Sequence, residues 1–140
     1  MKLGPWKVTA LPVLHSQRVR ALAYRVDRAG RSLLYTGDFF AMGEGCRDAL
    51  ENLDLVVTDG SFIRSGGLAR RDAKTGRRFG HAGLPEIVAF YSRYAPRILI
   101  VHLGSWFFRD PRDGAAKVRA LGDASGVSAR VGWDGMKFAI

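Results

Sequence analysis

A single cysteine, Cys46, leaves no partner for an internal disulfide, which excludes a disulfide-stapled scaffold and fits a reducing cytoplasm. Long apolar runs are missing too: the longest, around Ile98–Val101, is strand-sized, far short of the roughly 18 residues a membrane span needs. Met1–Trp6 opens the chain without an apolar segment of signal-peptide length, so a cytoplasmic protein off the membrane is expected. Acidic residues are scarce, 13 Asp and Glu against 22 Lys and Arg, for a net charge of +9. Such an excess attracts polyanions, nucleic acid first, although an arginine-rich solubilising surface is the plain alternative. What is present is an ordinary globular balance, 47% apolar over 140 residues, enough for a single domain with one core spanning residues 1–140.

Patterning divides the chain into a hairpin region and a strand–helix–strand–helix–strand region. Lys7–Leu14 and Arg20–Val26 read as strands, and Asp27-Arg28-Ala29-Gly30 as a turn with glycine at positive φ. Arg31–Thr36 is the return strand. Glu44–Leu53 has helical spacing at Cys46, Ala49, Leu50 and Leu53, with Cys46 as a buried filler. Leu55–Thr58 and Arg97–Val101 are apolar enough to be strands buried on both faces. Between them, Ser61–Gly80 reads as a long polar loop carrying Arg64, Arg70, Arg71, Lys74, Arg77 and Arg78. Leu84–Ala95 is an amphipathic helix with Pro85 in its first turn, and Gly114–Leu121 a second. Val127–Val131 and Met136–Ile140 are expected to close the chain as strands. This order describes an α/β fold, a mixed sheet with helices covering one face.

The three histidines all fall at element boundaries: His15 after Leu14, His81 before a helix, and His102 after Val101. Asp38 and Asp59 also follow apolar runs, and strand ends are where a rigid sheet aims reactive side chains into loop-lined space. Imidazole nitrogen and carboxylate oxygen suit zinc, manganese or iron in hydrolytic sites. His15, Asp38 and His102 supply those atoms, enough for one open metal site and too few for two. The plain alternative for any one of these histidines is a hydrogen-bonded structural residue.

Val13-Leu14-His15-Ser16, the strand around Tyr24, and Leu34-Tyr35-Thr36-Gly37-Asp38 together resemble the second half of metallo-β-lactamase-fold hydrolases, in their phosphodiesterase and tRNA-processing nuclease branch. Ile100-Val101-His102-Leu103-Gly104 is similar to the strand that delivers that family's last histidine, and Trp133-Asp134-Gly135-Met136 to the element before its final strand. The resemblance implies half of an αββα sandwich. It implies two divalent ions in the complete fold, zinc first, with His15 on one, Asp38 bridging both and His102 on the other. It also implies that Asp59 and His81 act as a pair in catalysis, the histidine offering a proton to the leaving oxygen while the acid holds its tautomer.

One family feature is absent: the His-x-His-x-Asp-His cluster of the N-terminal half has no counterpart here. The expectation is therefore the C-terminal half of a metal-dependent hydrolase, acting on phosphodiesters when complete and weak or inactive alone. Its exposed sheet face would seek the missing N-terminal half, a second subunit or another copy of itself. The rival is a non-catalytic truncated or partner half that binds nucleic acid or a second subunit. Trp106-Phe107-Phe108 offers either a base-stacking surface or a contact for the missing half.

Overall fold

A computed structural model describes residues 1–139. In chain order it forms β1 (Lys2–Leu3), β2 (Trp6–Leu14), β3 (Ala21–Arg28), β4 (Arg31–Tyr35), β5 (Ala41–Met42), β6 (Leu55–Asp59), β7 (Leu68–Arg71) and β8 (Arg78–His81). There follow α1 (Leu84–Tyr91), β9 (Arg97–Val101), α2 (Ser105–Arg109), α3 (Pro111–Ala124) and β10 (Ser128–Val131). The main sheet runs β1-β2-β3-β4-β6-β9-β10, with β5 on β2 and a separate hairpin β7-β8. Pairing is antiparallel from β1 to β4 and parallel from β4 through β10, a mixed sheet as expected.

Successive side chains of a strand point to opposite faces. One face carries Leu11 and Val13, Ala23, Leu34, Val56, Ile98 and Ile100, and Ala129, all buried against Leu84, Ile87, Val88 and Tyr91 of α1 and Val118 of α3. Both helices thus cover the same side. Pro111 and Asp110, whose carboxylate accepts from the Asp113 amide, start α3; Gly122 then approaches Ala129 too closely for any side chain.

The register also fixes the opposite face: Val8, Ala10, Pro12 and Leu14; Leu22, Tyr24 and Val26; Leu33 and Tyr35; Val57; Val101. Arg28 and Arg31 stand at one margin of this face and Arg130 at another, and within it Tyr24 and Tyr35 are 41% and 46% exposed. The Gly132 segment covers only its Leu99 and Val101 end. An apolar face this broad is a surface built for a second layer.

Four expectations need correction. Glu44–Leu53 is not an α-helix but a single 3-10 turn at Arg47–Leu50, because the chain turns left-handed at Gly45 (φ 74°) and Asn52 (φ 56°). Cys46, Leu50 and Leu53 are nonetheless buried. Ser61–Gly80 is not a loop throughout, since β7 and β8 pair within it. The Asp72 carboxylate accepts from the Lys74 and Thr75 amides and Gly76 takes φ 69°, which closes a tight turn between them. The first helix stops at Tyr91 ahead of Pro96, while the second runs further, Pro111–Ala124. Met136–Ala139 forms no strand; it lies against Arg97, which donates to the Ala139 carbonyl, and Ile140 falls outside the described residues. The β3–β4 turn does use Gly30 at positive φ, with Ala29 also left-handed, as a two-residue hairpin loop requires.

Candidate metal centre

All five candidate residues stand at the same end of the sheet. His15 follows β2, Asp38 follows β4, Asp59 ends β6, His81 ends β8 and His102 follows β9. Their approach depends on crowded backbone between β6 and β9. A side chain on Gly60 would strike Ile100 and the Val101 carbonyl, and one on Gly104 would strike the Ser61 carbonyl. Gly104 donates to the Gly60 carbonyl, which also accepts from the Trp106 indole. Trp106 therefore packs within this chain, whereas Phe108 is exposed.

Asp59 is the buried centre of the group, its side chain 0% exposed. It accepts from the Phe39 amide at 3.1 Å, the Ser61 amide at 2.9 Å, the Ser61 hydroxyl at 2.6 Å and His81 Nδ1 at 2.6 Å. Burial pushes its carboxyl up, but the bonds from Ser61, His81 and the two amides outweigh it and hold the carboxyl below the usual range. Asp59 is thus an anion in the interior, as a metal-site carboxylate must be.

His102 adopts φ 52°, a left-handed conformation that a β-carbon disfavours, and its side chain is 57% exposed. Its Nδ1 stands 2.9 Å from Asp38 Oδ1, 3.3 Å from Asp59 Oδ1 and 3.1 Å from Ser61 Oγ. One N–H cannot satisfy three oxygens, two of them carboxylate. That spot suits positive charge better than one donor can supply.

His15 tells the same story from the other side. Its Nδ1 lies 2.9 Å from the Gly80 carbonyl, which can only accept, so Nδ1 carries the proton. In the neutral ring Nε2 is then a lone pair, and it faces Asp38 Oδ2 at 3.4 Å. Two acceptors directed at each other call for a proton or a cation between them. A backbone carbonyl on the far nitrogen is also how metal-binding histidines are commonly oriented.

Ligand atoms of Asp38, Asp59, His81 and His102 lie within 4.8 Å of one another, and His15 joins them through Asp38 and a 4.7 Å ring contact with His81. The nitrogen and oxygen donors fit a divalent zinc, manganese or iron ion. Sequence reasoning placed His15, Asp38, Asp59 and His102 at strand ends and His81 before a helix, but gave no role to Ser61, which ties Asp59 to His102. The only signal for it was a hydroxyl two residues after the acid in Asp59-Gly60-Ser61. Beside His102, a cleft of about 430 Å³ is lined by Leu103, Phe108, Trp133 and Met136.

A family model described as the beta-lactamase superfamily domain matches residues 1–102. No curated protein matches the chain. Among solved structures, the metallo-beta-lactamase fold protein YhfI from Bacillus subtilis is similar, at 21% identity and a TM-score of 0.59, covering 94% of this chain and 47% of its own. A diphosphatase of the PhnP family gives 16% identity and a TM-score of 0.67, covering 100% and 46%. Human tRNase Z, short form, gives 20% identity and a TM-score of 0.54, covering 76% and 39%. The chain spans less than half the length of each.

Proposed function

The chain belongs to the beta-lactamase superfamily, and on that premise we propose that it is part of a divalent-metal hydrolase that cleaves phosphodiester bonds when its fold is complete. The observation that carries this reading is the acceptor set facing inward: His15 Nε2 toward Asp38, and Asp38 and Asp59 on either side of a single nitrogen of His102. His15, Asp38 and His102 would hold the metal, zinc first among zinc, manganese and iron, with a second ion in the complete fold. A bound divalent ion supplies Lewis-acid polarisation of a phosphoryl oxygen. Asp38, between two imidazoles, is placed to hold charge on both sides of it. Asp59 fixes His81 through Nδ1, which leaves Nε2 as the ring atom to carry a proton for the departing oxygen. The Asp59–His81 bond orients the imidazole. The single cysteine supports a cytoplasmic setting, and among the described residues no helix is long and apolar enough to cross a membrane.

A second reading is favoured by the apolar face around Tyr24 and Tyr35: a partner half that docks a second layer and binds nucleic acid without catalysis. Equilibrium dialysis against zinc separates the two. The hydrolase reading expects bound zinc in the full chain, greatly weakened in Asp38→Ala and His102→Ala, with little turnover of bis(p-nitrophenyl) phosphate by the chain alone. Zinc binding no better than in those variants would sink the hydrolase reading.

A further inference from the structure

The β7–β8 hairpin lies in the most basic stretch of the sequence, and although it delivers His81 to the candidate centre, its basic side chains take no part there. Between Ser61 and Gly80 stand six basic residues and one acid, Asp72, whose carboxylate is committed to its own turn. Arg64, Arg70, Arg71, Lys74, Arg77 and Arg78 are all exposed, and among the described residues none pairs with a carboxylate. The register makes the arrangement sharper. Arg71 lies directly opposite Arg78, so two guanidinium side chains leave the same face of the hairpin side by side. Like charges in that position destabilise a strand pair unless an anion lies between them. Arg71 donates to the Gly76 carbonyl and Arg78 lies over the Phe40 ring.

The hairpin is also fixed to the candidate centre rather than loosely tethered. Leu68 pairs with His81, Gly80 donates to the His15 carbonyl, and Ala82 donates to the Phe39 carbonyl. Gly80, at φ 126°, passes so close to the Leu68 carbonyl that no side chain fits there. Arg78 is three residues before His81 on one strand, roughly 10 Å along it, and the register puts Arg70 on the face of His81 and the Arg71–Arg78 pair on the other, so a bound strand would wrap the hairpin to reach the cluster.

We infer that the β7–β8 hairpin is a phosphate-backbone clamp that holds a single-stranded polynucleotide beside the His–Asp cluster, with Arg71 and Arg78 as its centre. For its placement of substrate this rests on the phosphodiesterase reading. Arginine suits the task because its planar fork grips phosphate oxygens in pairs. Contacts of this kind position a strand without reading its sequence.

The test uses the full chain and a fluorescent 20-nucleotide single-stranded RNA, followed by anisotropy over a range of salt. The variant Arg70→Gln, Arg71→Gln, Arg77→Gln, Arg78→Gln should bind at least roughly tenfold more weakly at low salt. Its slope of log affinity against log salt should fall by about 3, near 0.7 for each cation removed. The pair Arg71→Lys, Arg78→Lys keeps the charge and should keep the slope. An unchanged affinity and slope in the glutamine variant would overturn the clamp, as would displacement of the RNA by polyglutamate as effective as by unlabelled RNA. His102→Ala separates this inference from the metal reading. RNA binding retained alongside a failed zinc titration leaves the clamp standing without the hydrolase; zinc bound with no effect of the glutamine variant does the reverse.

Discussion

His102 provides an energetic test of the site that needs neither metal nor substrate. Its φ of 52° places a β-carbon in the left-handed region, which costs about 1–2 kcal/mol for a residue other than glycine. Comparing His102→Ala with His102→Gly isolates that cost, because both remove the imidazole and all its contacts with Asp38, Asp59 and Ser61. They differ only by one methyl group, and the position is exposed enough that burial contributes little. Glycine also gives up about 0.5–1 kcal/mol through the freedom of its unfolded chain. The difference leaves the glycine variant roughly 0.5–1 kcal/mol more stable than the alanine variant, the reverse of the order at an ordinary strand position. Urea denaturation of both proteins, analysed with a common slope, reads this directly. An alanine variant as stable as the glycine variant would refute the left-handed strand end and the argument that the chain holds histidine there under strain. Strain of this size at a solvent-facing imidazole is what a functional position tolerates and a structural one does not.

Ser61→Ala removes the hydroxyl shared by Asp59 and His102, and zinc affinity measured by calorimetry should fall about 10- to 100-fold, the usual scale for a group that orients metal ligands; an unchanged affinity contradicts that role. Asp54 receives the Ser32 amide at 2.8 Å and the Arg31 guanidinium, which hold its carboxyl below the ordinary range. A lowered folded-state value means that its contribution is present above the unfolded carboxyl pKa, about 3.9, and is lost as pH falls through the folded one. The gap in urea midpoint between the native chain and Asp54→Asn should therefore be constant from pH 7 to about pH 5 and close below about pH 4; a gap that persists in acid counts against it. On the open sheet face, Tyr24→Lys with Tyr35→Lys should reduce self-association in sedimentation velocity without lowering the unfolding free energy from urea denaturation by more than about 1 kcal/mol, since both rings are half exposed. A large loss of stability would mean that the face is already covered.

The parallel strands were legible because Leu55–Asp59 and Arg97–Val101 are apolar runs that stop at a charged or ionisable residue, and the helical face followed from Leu84, Ile87, Val88 and Tyr91. The 3-10 turn at Arg47–Leu50 was not, since helical spacing survives in Cys46, Leu50 and Leu53 while Gly45 and Asn52 turn the backbone left-handed on either side. The hairpin was hidden for a different reason. Leu68–Arg71 and Arg78–His81 pair without an apolar face of their own, and the turn chemistry of Asp72 and Gly76 does the folding. At the centre, the strand-end pattern singled out His15, Asp38, Asp59 and His102, while His81 stood out at a helix entry and through the family resemblance. The details that suggest a cation were beyond it, because His15 finds its carbonyl 65 residues away at Gly80 and His102 meets Ser61 across 41. Such partners are set by tertiary packing alone.

The most direct measurement is the ring-nitrogen NMR spectrum of the three histidines during a zinc titration. His15 should keep its proton on Nδ1, where it donates to Gly80, while its Nε2 signal and at least one signal of His102 shift to coordinated positions at saturation. Ring spectra that do not change at saturating zinc would show that these imidazoles and carboxylates are bonded only to one another.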